Sequence, residues 1–112
     1  MKLKYNPARW ECEPGWYKLI EELVGLLDAI DTEWDATQVK EKFGTLRFYV
    51  TGAHDYGFDL IETYEGLSGH VCERCGEFYT AKLRGTHWVK TLCDKCAVGY
   101  GMDKEIYAAK EN

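Results

Sequence analysis

Trp16, Leu19, Ile20, Leu23, Leu27 and Ile30 repeat along the chain, the later five lying 3, 4, 7, 11 and 14 positions beyond the first. That spacing draws one apolar stripe down an α-helix of 3.6 residues per turn. It predicts an amphipathic helix over residues 15–30, with Pro14 at its first turn and Lys18, Glu21, Glu22 and Asp28 on the opposite face. Farther along, Leu46, Phe48 and Val50 alternate with Arg47, Tyr49 and Thr51, the period-two pattern of a half-buried strand. In "QVKEKFGTLRFYV" the Phe43-Gly44 pair supplies a turn, so the stretch predicts a β-hairpin. A two-residue loop sets Val39 against Phe48 and leaves Lys40 opposite Arg47 on the outer face, beside Gln38 and Tyr49. A three-residue loop with a bulge at Gly44 sets Val39 against Arg47 instead, and both registers remain open at this point.

Residues 52–57, "GAHDYG", read as a loop. A second helix is expected over residues 58–68, with Leu60, Ile61, Tyr64 and Leu67 inward and Gly69 ending it. The remainder belongs to the cysteines. Cys72-Glu-Arg-Cys75 and Cys93-Asp-Lys-Cys96 are two C-x-x-C pairs with 17 residues between them. Each such turn aims two thiolates at one point, and two turns complete a tetrahedron around Zn²⁺. Between them lie "EFYTAKL" and "THWVKTL", apolar-aromatic runs separated by Arg84-Gly85, which predict a second hairpin and hence a zinc ribbon. The expected fold class is α+β, with a small helix–β-hairpin–helix core over residues 1–69. A four-cysteine zinc ribbon with a short C-terminal helix ("MDKEIYAAK") is expected over residues 70–112, the two parts forming one compact unit. Four thiolates leave no open coordination position, so one structural Zn²⁺ is expected at Cys72, Cys75, Cys93 and Cys96, with no catalytic residue. Cys12, flanked by Glu11 and Glu13, is a poor nucleophile because neighbouring carboxylates disfavour its thiolate.

Composition changes the picture in two ways. With 46% hydrophobic and 14% aromatic residues the chain has enough apolar mass for a core, which argues against disorder. The start, "MKLKYNPARWECEPGW", has no apolar run behind its lysines, and no stretch approaches the roughly 20 apolar residues of a membrane span. A cytoplasmic protein without a membrane partner is expected. The net charge is −5, and most of the imbalance lies in residues 1–60, where 7 Lys/Arg face 11 Asp/Glu. Neutralising a nucleic-acid backbone needs several clustered cations, so the whole molecule is not expected to coat DNA.

Three segments taken together, "GWYKLIEEL", "QVKEKFGTLRFYV" and "CERCG…VKTLCDKC", resemble a family of small bacterial and prophage zinc-ribbon proteins of uncharacterised function. The resemblance spans roughly residues 14–96. It implies helix, hairpin, helix and ribbon in that order, zinc on the four cysteines, and a phage or bacterial origin; it implies no activity. The functional expectation is therefore a non-catalytic interaction module that contacts a bacterial or host protein, as a phage-type inhibitor or regulator would. Two contact faces are candidates: an acidic one of Glu21, Glu22, Asp28, Asp31, Glu33 and Asp35, and a basic one of Lys40, Lys42, Arg47 and Tyr49. The alternative is a nucleic-acid-binding ribbon acting through Lys82, Arg84 and Lys90, with Trp88 for stacking.

Overall fold

The computed structural model describes residues 1–107. Helix α1 spans Tyr17–Ile30, entered through a 3-10 turn at Pro14–Trp16. Trp16, Ile20, Leu23, Val24 and Leu27 are buried on its inner stripe. The next inward position is residue 31, four beyond Leu27, and it is occupied by a buried Asp31. Ile30, expected inside, is 43% exposed for this reason: the helical phase carries it off the stripe.

Strands β1 (Asp35–Lys42) and β2 (Thr45–Thr51) form the expected hairpin. Val39 pairs with Phe48 and Lys40 with Arg47, so the two-residue loop is the one adopted, with a bulge between Ala36 and Gln38. Phe43 and Gly44 take φ of 54° and 77°, the left-handed pair that a tight hairpin turn needs. Val39, Leu46 and Phe48 face the helices and are buried. Helix α2 spans Asp55–Ser68, beginning three residues earlier than the sequence pattern predicts. Its start is anchored by the Asp31 carboxylate, which accepts the His54 backbone N–H at 2.8 Å, and this shortens the expected loop. Gly57, Ile61, Tyr64 and Ser68 form its buried stripe. Leu67, expected inward, is 45% exposed because Ser68 holds the inward slot.

Both hairpin edges are partly covered. Along β2, the amides of Leu46 and Phe48 donate to Ser68 Oγ and Glu65 Oε2, both at 2.8 Å, so α2 satisfies that edge with side chains. Along β1, Glu11 N donates to Val39 O at 2.8 Å and Glu41 N donates to Glu11 O at 3.0 Å.

After the first knuckle, β3 (Lys82–Arg84) and β4 (Lys90–Leu92) pair antiparallel, and α3 (Asp94–Gly99) starts at the second knuckle. The strands are shorter than the apolar runs suggested, since Glu77 accepts from Thr80 N and Thr80 Oγ1 and folds residues 77–80 into a turn. The expected C-terminal helix is corrected. Helix α3 lies directly behind Cys93, whereas Ile106 bridges to Arg84 and Tyr107 N donates to Leu83 O at 3.0 Å, continuing the sheet. Residues 108–110 of the expected helix lie outside the described residues.

Core and ribbon meet through hydrogen bonds to ribbon carbonyls. Gly15 N donates to Glu73 O at 2.7 Å, and Trp16 Nε1 donates to Val71 O at 2.8 Å. At the hairpin tip, Thr91 Oγ1 donates to Gly44 O at 2.6 Å, and Phe43 meets Tyr107 edge-on with centroids 5.2 Å apart. The "KFGT" turn is thus the bracket that seats the core on the ribbon.

A Cβ at Gly15 would collide with the carbonyl oxygens of Cys72 and Glu73, whereas one at Gly25, inside α1, would meet nothing within 4 Å. Gly15→Ala should therefore lower stability by at least about 2 kcal/mol through overpacking. Gly25→Ala should raise it by about 0.5–1 kcal/mol through helix propensity. Urea denaturation of the two variants checks the pair, and equal effects would contradict the junction described.

Candidate metal centre

Cys72 and Cys75 lie in the turn between α2 and β3, and Cys93 and Cys96 at the start of α3. All four Sγ atoms lie within 4.8 Å of one another, with Cys75 and Cys93 at 3.6 Å. Tetrahedral zinc with Zn–S bonds of about 2.3 Å requires sulfurs about 3.8 Å apart, a spacing the Cys75–Cys93 pair approaches. Backbone geometry prepares the sulfurs as well. Cys96 N donates to Cys93 Sγ at 3.4 Å, which makes Cys93 the cap of α3. Burial opposes ionisation of Cys72, yet the amides of Cys93, Cys75 and Arg74 directed at it hold its thiol below the ordinary value. Cys93 and Cys96 are pushed up, by burial first and, for both, by neighbouring thiols. A divalent cation reverses that balance, since its charge favours thiolates. The four cysteines brought together can hold a metal ion such as zinc. His70 and His87 are both exposed and stand outside the cluster.

Around the centre lies a buried ion network with no spacing signal in the sequence. Glu73, between the two ligands of the first knuckle, is 0% exposed. Lys90 Nζ sits 3.1 Å from Glu73 Oε1 and 3.0 Å from Glu13 Oε2, and Tyr100 OH donates to Glu13 Oε1 at 2.5 Å. Burial alone would lower the Lys90 pKa, but the two carboxylates outweigh it and raise it, keeping the ammonium charged. Glu73 is pushed up by burial despite its bonds to Thr91 N–H and Lys90. The thiol of Cys12 is pushed up to about 12, by burial first and then by Glu73, Glu13 and Glu41, in line with its expected inertness.

The contact faces expected from the sequence fare differently. Lys40, Lys42, Arg47 and Tyr49 do share the outer face of the hairpin, with Lys42 and Tyr49 exposed and Lys40 and Arg47 half-buried. The acidic set loses Asp31 to the interior. Asp31 is buried beneath His54, whose Nδ1 is 2.8 Å from its Oδ2. Asp28 accepts from Tyr5 OH and Trp34 Nε1, each at 2.8 Å, and Asp35 accepts from the Ala36 amide at 2.9 Å. Glu21, Glu22, Glu33 and, despite its bonds, Asp28 remain exposed. In the ribbon, Arg84 is 1% exposed, donating to Leu92 O and to Asp94 Oδ1, and Lys90 is held as above. Two of the three cations expected to meet nucleic acid are therefore spent inside the fold, which leaves Lys82 and Trp88 exposed.

Protein-family models, curated proteins and solved structures offer no match to this chain. Among the described residues no helix is long and apolar enough to cross a membrane.

Hydrogen bonds from the His54 side chain first, and then its amide, hold the Asp31 carboxyl below the usual value. A carboxylate with a depressed folded-state pKa adds stability above its unfolded pKa of about 3.9, and that contribution disappears as the pH falls through the folded value. Asp31→Asn should therefore be less stable than the native chain at pH 7, and the gap should close below about pH 4. Urea melts at about pH 7, 5 and 3 check this; a gap independent of pH would count against it.

Proposed function

We propose that this chain is a zinc-binding protein-interaction module, with a single structural Zn²⁺ on Cys72, Cys75, Cys93 and Cys96. The closed four-sulfur cluster carries the reading. Four thiolates occupy every position a tetrahedral ion offers, so the binding energy of the ion goes into folding the ribbon. The ribbon in turn seats Gly15, Trp16 and the hairpin tip, so the ion supports the whole surface of the molecule.

What that surface presents supports contact with another protein. Phe78, Tyr79 and Trp88 are 62%, 84% and 61% exposed. The first two pack with centroids 4.6 Å apart on the turn that Glu77 clasps. Aromatic rings exposed to water are frequent anchors of an interface, because burying them removes a large apolar surface from water. The outer face of the hairpin, with Lys40, Lys42, Arg47 and Tyr49, adds cations suited to an anionic patch. In keeping with the resemblance to prophage and bacterial ribbons, the partner is a host or bacterial cytoplasmic protein, which the module regulates or inhibits by contact rather than by catalysis.

Two measurements test this. Cys72→Ser should release the ion and lower the thermal midpoint by roughly 10 °C or more; a variant that keeps one tight zinc at the native midpoint would sink the structural role. Zinc-loaded protein used as bait in bacterial lysate should retain a protein partner after nuclease treatment. The partner should be lost on either Phe78→Ala with Tyr79→Ala or Lys40→Glu with Arg47→Glu. Partners that vanish with nuclease would favour the nucleic-acid reading instead.

A further inference from the structure

The metal cluster is lopsided. Cys72 and Cys93 are 0% and 3% exposed, whereas Cys96 is half-buried and Cys75 is exposed. A solvent-open cleft of about 390 Å³ ends on the two accessible residues, and Arg74, Lys95 and Gly99 complete its lining. The buried side of the cluster anchors the fold: Cys72 N donates to Glu77 O at 2.8 Å, Glu73 N donates to Thr91 O at 2.9 Å, and Gly15 packs on the Cys72 carbonyl. Among the described residues, no backbone hydrogen bond joins Cys75 or Cys96 to the core. Chemistry can therefore reach Cys75 without first breaking the junction.

We propose that Cys75 is a redox-sensitive site, oxidised by hydrogen peroxide through this cleft and resolved as a disulfide that discharges the metal. The inference rests on the zinc reading above. In the first step the Cys75 sulfur attacks one peroxide oxygen. The O–O bond breaks, an S–OH bond forms, and the departing hydroxide takes a proton to leave as water. In the second step a neighbouring thiolate attacks the Cys75 sulfur, forming the S–S bond and expelling the hydroxyl as a second water with a second proton. Two electrons pass from the two sulfurs to the peroxide. Cys93 is the resolving thiol, its sulfur lying 3.6 Å away. Only Cys72 and Cys96 then remain as ligands, and the ion leaves with its contribution to folding. Cys12 does not compete, being partly buried among Glu13, Glu41 and Glu73.

The test uses the full zinc-loaded chain and hydrogen peroxide. A chromogenic chelator follows zinc release while disulfides are mapped by mass spectrometry. The zinc content before oxidation, one ion per chain, checks the metal reading separately. The expected first product is a disulfide containing Cys75, formed in step with zinc release, reversed by dithiothreitol and zinc, and unchanged in Cys12→Ser. A short iodoacetamide pulse on unoxidised protein should label Cys75 at least about tenfold ahead of Cys72 and Cys93, following exposure. A first disulfide that lacks Cys75, zinc release that requires Cys12, or labelling that ignores exposure would each overturn the proposal. If the chain arrives without zinc, the zinc reading fails, and the labelling order still decides whether Cys75 is the accessible thiol.

Discussion

Lys90 lies between two carboxylates that reach it from different parts of the chain: Glu13 from the segment ahead of α1, and Glu73 from inside the first knuckle. All three side chains are withdrawn from water to different degrees, with Glu73 wholly so. Removing one partner from such a set leaves an uncompensated buried charge, which costs about 3–5 kcal/mol. The arrangement therefore tolerates only one relative placement of core and ribbon. Gly15 against the Cys72 carbonyl and Gly44 against β4 then close the remaining space between them. The metal cluster lies just beyond this junction, so the first knuckle and the seat of the core share the backbone of Cys72 and Glu73.

The parts visible in the sequence were those with a repeat or a rigid spacing. The stripe from Trp16 to Leu27, the alternation in β2, the Phe43-Gly44 turn and the two C-x-x-C pairs each impose one local geometry, and each is present. The parts that were not visible depend on which polar residue falls on an apolar stripe. Asp31 and Ser68 take the slots that hydrophobicity alone assigns to Ile30 and Leu67, because each supplies acceptors to a backbone amide of a neighbouring element. Lys90 and Arg84 read as surface cations in "THWVKTL" and "AKLRG", yet both serve the interior. A single sequence carries charge, but the partner that consumes it comes from far along the chain: Asp28 is claimed by Tyr5, Glu13 by Tyr100. The pairing of charged side chains was accordingly the least legible feature, and the cysteine cluster the most.

Each strand in this small protein has company on its outer side. Glu11 runs beside β1, the side chains of Glu65 and Ser68 meet β2, residues 105–107 lie along β3, and Glu73 serves Thr91 in β4. The strand edges are thus partly occupied by the chain's own groups, which works against the addition of an extended foreign segment. In the interaction proposed above, recognition passes through side chains on faces and turns. It is then written in residue identity rather than in backbone shape, and so it can be retuned by single substitutions that leave the scaffold intact.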